Sequence, residues 1–192
     1  MYHRDSLKIM KLKINITKKG AIISLSVIIG AILVDLFSKI AVMKNMKIGQ
    51  TVPLIKDVLH LTYITNEGAA FGSFSEHRWV FMTLSSLLII FLAALILIWE
   101  DGDALFYTAA SMVLGGGVGN MIDRIAYGKV IDFIDFRALP ELWYWIFNFA
   151  DSFVCVGAGL LILWYIRAEV RAYKKEKAKK TEETENGVED TK

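Results

Sequence analysis

Apolar runs and polar connectors alternate along this chain. Four runs, 21–43, 79–99, 104–122 and 144–166, are mostly apolar. About 20 such residues cross a hydrocarbon core of about 30 Å at about 1.5 Å per residue, so each run predicts a transmembrane helix. Tryptophans flank the second run at Trp79 and Trp99, and Trp143, Tyr144 and Trp145 open the fourth, where interfacial rings prefer to sit. The connector 44–78 is too polar to span. Its core, 51–65, is rich in β-branched residues with loose alternation and predicts short strands at the membrane surface. It runs into Asn66-Glu67-Gly68-Ala69-Ala70-Phe71-Gly72, a turn with close backbone approach. The pattern predicts an all-α integral membrane protein with four transmembrane helices and a little surface strand.

The ends set the orientation. Residues 1–20 hold Arg4, Lys8, Lys11, Lys13, Lys18 and Lys19 and form a basic leader. A cleavable signal peptide has the same outline, but here the apolar character continues past Asp35 to Met43. Residues 167–192 are basic first and acidic afterwards, and read as a solvated, frayed tail whose basic part can touch anionic lipid. Four spans put both termini on one side. Since the leader and the tail are the most basic segments, that side is the cytoplasm. The net charge of +2 over 192 residues hides this distribution. The one cysteine, Cys155, excludes an internal disulfide and reads as a small buried hydrophobe. The three histidines have no metal-ligand spacing, and no metal or other cofactor is expected.

Against this apolar background, polar groups collect at one depth. Asp35 and Lys39 stand four residues apart on one face of the first span and can pair. Asn120, Asp123 and Arg124 close the third span, behind Gly115, Gly116, Gly117 and Gly119, whose small size suits close helix packing. Asn148 and Asp151 open the fourth, and Asn66 and Asp132 lie on the outer connectors. Charges inside a membrane protein are costly and usually face a bundle interior or a watered site. All of these fall near the outer face, which points to one shared site. It lacks the histidine and cysteine of a Ser–His or thiol enzyme. Two carboxylates sharing one proton can activate water and protonate a leaving amine, and Asp132 and Asp151 are best placed to do so. An ion-coupled carrier would need a polar path across the membrane and often an inverted repeat. A purely structural subunit remains the other alternative.

Five segments carry a family resemblance: Asp35-Leu36-Phe37-Ser38-Lys39, Asn66 to Gly72, Gly119-Asn120-Met121-Ile122-Asp123-Arg124, Gly128-Lys129-Val130-Ile131-Asp132-Phe133 and Phe147-Asn148-Phe149-Ala150-Asp151-Ser152. In type and order they resemble the bacterial lipoprotein signal peptidases, or signal peptidase II. The resemblance implies a four-helix aspartic endopeptidase of the bacterial cytoplasmic (inner) membrane with a small extracytoplasmic β-cradle. It would cut diacylglyceryl-modified prolipoproteins before the lipidated cysteine. The catalytic aspartates fall on Asp132 and Asp151. Asp35, Lys39, Asn66, Gly68, Asn120, Asp123, Arg124 and Asn148 fall on supporting or substrate-binding positions, with Asp123 paired to Arg124 and Asp135 left on the surface. The implied partners are prolipoprotein, membrane lipid and globomycin-type inhibitors, with no nucleic acid and a monomeric enzyme. Trp145 replaces a proline common in the family, which puts the entry angle of the fourth span in question. The leader and tail extend past the family core.

Overall fold

The structure, a computed structural model, describes residues 14–67, 78–100, 102–138 and 145–189. Among the described residues there are four helices: α1 (Lys18–Asn45), α2 (Arg78–Ile98), α3 (Ala104–Tyr127) and α4 (Phe149–Glu189). Strands β1 (Thr51–Ile55), β2 (Leu59–Asn66), β3 (Val130–Phe136) and β4 (Ile146–Phe147) form one antiparallel sheet in chain order. By length and composition, α1, α3 and residues Phe149–Lys180 of α4 can cross a membrane, and α2 carries a shorter apolar stretch, Met82–Ile98.

α3 is the central helix and touches the other three. Its glycines explain why. An added β-carbon at Gly119 would lie 2.7 Å from the Asp35 carboxylate of α1, and one at Gly116 would fall on the carbonyl oxygen of Ala150 in α4. Without side chains at these places, both neighbours approach the α3 backbone. Gly116→Ala should therefore push α4 away, cost about 1–3 kcal/mol of stability and impair any reaction using Asp151. Gly159→Ala, on α4 with nothing within 4 Å of the added carbon, is the control for a helical Gly→Ala change without a clash. Thermal unfolding in detergent and a cleavage assay read both effects.

Local signals set the helix ends. Thr17 caps α1 by accepting from the Gly20 N–H, and Asp103 caps α3 by accepting from the Phe106 N–H. α3 ends at Gly128, whose φ of +74° is the left-handed conformation that glycine adopts without strain. The chain then turns directly into β3. Val42 near the end of α1 packs with Tyr63, Ile131 and Phe133, so the sheet is seated over that end of α1. At the other end of the bundle Trp99, Phe106 and Trp164 stack around one another at ring distances of 4.9–5.7 Å.

Three expectations change. In the fourth apolar run, residues 145–148 are not helical. Ile146 and Phe147 pair with Asp135 and Ile134 as β4, and the helix starts at Phe149. Two apolar residues beside an open strand edge gain more from pairing there than from one more helical turn. The tail is not frayed over 167–189 but continues α4. Ala, Lys and Glu are good helix formers, and pairs such as Glu176–Lys180, 2.6 Å apart, add to the preference. Cys155 is exposed on α4, because the packed face of that helix runs through Ala150 and Gly157. The leader residues 1–13 and Gly68 lie outside the described residues.

Candidate active site

The site is built where the end of α3, the start of α4 and the C-terminal half of α1 meet β2 and β3. Lys39 anchors it. Its ammonium, on a residue 1% exposed, lies 2.7 Å from Asp35 Oδ2, 2.9 Å from Asp123 Oδ2 and 3.1 Å from Asn120 Oδ1. Three acceptors match its three protons. The Asp35–Lys39 pair is as expected, but Asp123 is paired with Lys39 and not with Arg124. Helix geometry is the reason: neighbouring residues point about 100° apart, so Asp123 faces Lys39 of α1 while Arg124 is turned away from that contact. The Asp123 carboxylate also accepts from the Ile131 N–H at 3.1 Å, which ties α3 to β3. Arg124 donates to the Asn120 carbonyl at 3.2 Å, and the charges of Asp151, Asp132 and Asp123 act on it.

Asn120 passes this order on. Its oxygen accepts from Lys39 and, at 3.0 Å, from Asn148; its nitrogen then donates to Asp151 Oδ1 at 2.7 Å. Lys39 and Asn148 together therefore decide which way the amide points, and the amide helps to place Asp151. Asn148 does the rest. It is the N-cap of α4, and its Oδ1 accepts from the Asp151 N–H at 2.9 Å while Asp151 Oδ2 accepts from the Asn148 N–H at 3.2 Å. This is a reciprocal capping box. The Asp35 carboxylate, from α1, takes the Ala150 N–H at 2.9 Å. Two N–H groups of the first helical turn, which no helix satisfies internally, thus hold site residues in place.

Asp132 reaches the same point from β3. Its carboxylate accepts from Asn148 Nδ2 at 2.7 Å and from Asn66 Nδ2, on β2, at 3.1 Å. Asn148 thus bonds both carboxylates, Asp132 through its side chain and Asp151 through its backbone. Burial pushes the Asp132 carboxyl up to about 6, and the Asp151 charge adds to this. The hydrogen bonds from Asn66 and Asn148 and the Lys39 charge pull the other way. A carboxyl so placed changes protonation state near neutrality, as a general acid or base must.

The structure brings Asp35, Lys39, Asn66, Asn120, Asp123, Arg124, Asp132, Asn148 and Asp151 together. The capping box has a sequence signal, an Asn followed three residues later by an Asp, which a span drawn through residue 148 obscures. Asp135 is not on the surface. It is 7% exposed and accepts from Thr62 Oγ1 at 2.5 Å and Arg137 Nε at 2.8 Å. Its strand neighbour on β2 is His60, and pairing with β2 is what covers it. Burial alone would raise its carboxyl, but the Arg137 and Thr62 bonds outweigh that and hold it below the usual range.

Residues 27–167 match a family model described as signal peptidase (SPase) II. A lipoprotein signal peptidase of Halothermothrix orenii is 42% identical over 144 residues, covering 74% of this chain and 94% of its own. That of Halalkalibacterium halodurans is 40% identical over 147 residues, covering 77% and 94%. A solved structure, described as a bacterial membrane enzyme determined by the in meso method at 2.3 Å, superposes with a TM-score of 0.67 at 29% identity. It covers 81% of this chain and 92% of its own. The matched region includes every side chain of the site from Asp35 to Asp151, and with that extent of similarity the chain belongs to the signal peptidase II family of aspartic peptidases.

Proposed function

We propose that Asp132 and Asp151 are the catalytic dyad with which this enzyme removes the signal peptide from diacylglyceryl-modified prolipoproteins, cutting before the lipidated cysteine. The observation that carries this reading is the shared hold of Asn148 on both carboxylates, one of them buried and raised to about 6. In the resting pair a single proton is held, and it sits on Asp132. Asp151 takes a proton from water as the water oxygen attacks the scissile carbonyl carbon. Asp132 gives its proton to the carbonyl oxygen, which neutralises the developing oxyanion. Asp151 then protonates the amine of the lipidated cysteine, the carbon–nitrogen bond breaks, and the diol proton returns to Asp132. The signal peptide leaves with a free carboxyl group.

The other site residues position this pair. Lys39, Asp35, Asp123 and Asn120 hold Asp151, and Asn66 and Asn148 hold Asp132. Arg124 offers a cation to the substrate backbone. The apolar part of the signal peptide lies among four spans, and the diacyl chains lie in lipid. Both termini are cytoplasmic, and the site lies near the outer face of the bacterial cytoplasmic membrane, in keeping with the basic leader and tail. The enzyme works as a monomer, and globomycin-type compounds compete with substrate at the dyad.

The pH profile tests the assignment. As pH rises through about 6, Asp132 loses its proton and kcat/KM, which reports the free enzyme, falls. Asn66→Val removes a hydrogen bond that favours the ionised form. The Asp132 carboxyl should then rise further, and the alkaline limb of kcat/KM should move to higher pH. A limb that stays fixed in this variant would take the shared proton away from Asp132.

A further inference from the structure

α4 is longer than a bilayer requires. Its 41 residues make about 60 Å of helix, twice the thickness of a hydrocarbon core. Its apolar stretch ends at Ile166. Arg167, Arg171, Lys174 and Lys175 follow at spacings that place them on one face, and all four are exposed. Glu169 and Glu176 lie on the opposite face, where Glu176 pairs with Lys180 at 2.6 Å. Between the two faces lie Ile166, Val170 and Tyr173, exposed at 53%, 48% and 68%. The Arg171 guanidinium lies 3.7 Å from Asp103, the cap of α3, so the stripe begins level with that end of the bundle.

A merely solvated helix has no need to sort its charges. Over residues 166–176 this one sets a cationic stripe beside an apolar one, directly after an apolar span. That is the chemistry of a surface with phosphate groups above and acyl chains below. We propose that Arg167, Arg171, Lys174 and Lys175 bind anionic lipid headgroups in the leaflet opposite the carboxylate site and so fix the height of α4 in the membrane. About 24 Å of continuous helix separates Arg167 from Asp151. The same clamp therefore sets the height of Asp151 relative to the acyl chains. Only this last consequence rests on the proposed function.

The test uses the full chain with Cys155→Ser and Val170→Cys, spin-labelled at 170 on the apolar stripe. It is reconstituted into vesicles of phosphatidylcholine alone or mixed with phosphatidylglycerol. Phosphatidylglycerol should shield the label from a water-soluble nickel relaxing agent, and raised salt should reverse this. Each Gln substitution in the stripe should raise the phosphatidylglycerol content needed for half of this change by about fivefold. Equal shielding in both kinds of vesicle, or a response that survives replacement of all four residues by Gln, overturns the proposal. Prolipoprotein cleavage is measured in the same vesicles. Shielding without cleavage leaves the clamp standing and removes the peptidase reading instead.

Discussion

Asp132→Asn will lower the cleavage rate by about 10³–10⁴-fold and at the same time make the folded protein more stable at neutral pH. The first effect is the loss of the group that holds and delivers the shared proton. The second follows from the position of that carboxyl. Its value in the fold is about 6, against 3.8 for an unperturbed group. The folded state therefore binds this proton more tightly than the unfolded state does. Below pH 3.8 both states are protonated and nothing is lost. Between 3.8 and about 6 the unfolded state ionises first, and stability falls with rising pH, by about 3 kcal/mol in all. Asparagine carries no charge and escapes this penalty. It can still accept the Asn148 bond, but its own NH₂ group faces the NH₂ group of Asn66, which costs about 1 kcal/mol. The variant should unfold later than wild type in detergent at pH 7, and this gain should disappear as the pH is lowered toward 4. Normal turnover in the variant would remove Asp132 from the chemistry. A lower unfolding temperature at pH 7 would show that its burial carries no penalty.

The second large effect belongs to Lys39. Lys39→Met leaves the carboxylates of Asp35 and Asp123 buried, 1% exposed each, with their shared cation gone. Breaking such a group by removing one partner costs about 3–5 kcal/mol. Activity should fall with it, because the Asn120 amide, whose nitrogen donates to Asp151, loses one of the two bonds that orient it. The double variant Lys39→Met, Asp123→Asn removes one of the stranded charges and should regain about 2 kcal/mol over Lys39→Met alone. Chemical unfolding of the single and double variants measures this coupling. If the two changes simply add, the ammonium does not neutralise Asp123 in the fold.

These effects differ in how visible they are in the sequence. Asp35 and Lys39 could be paired from their spacing alone, since residues four apart share a helix face. Which other group Lys39 meets could not. Asp123 and Arg124 are neighbours in sequence, yet Asp123 faces α1 and the lysine there. The glycines at 116 and 119 could be read as packing residues, but not that one faces Ala150 and the other Asp35. Asp135 looked like a surface residue in a polar connector, and only its strand pairing with β2 covers it.

Sequence alone determined the apolar runs, the polar groups gathered at their ends, and the family. Those properties follow from composition and from short-range periodicity, which each segment carries within itself. Tertiary structure decided that Asn148 bonds Asp132 and Asp151 together, that Lys39 orients Asn120, and that Ile146–Phe147 extends the sheet before α4 begins. Each of these depends on the approach of segments far apart in the chain. Hydrogen-bond partners and burial are fixed only when those segments meet, and so is the raised proton affinity of Asp132.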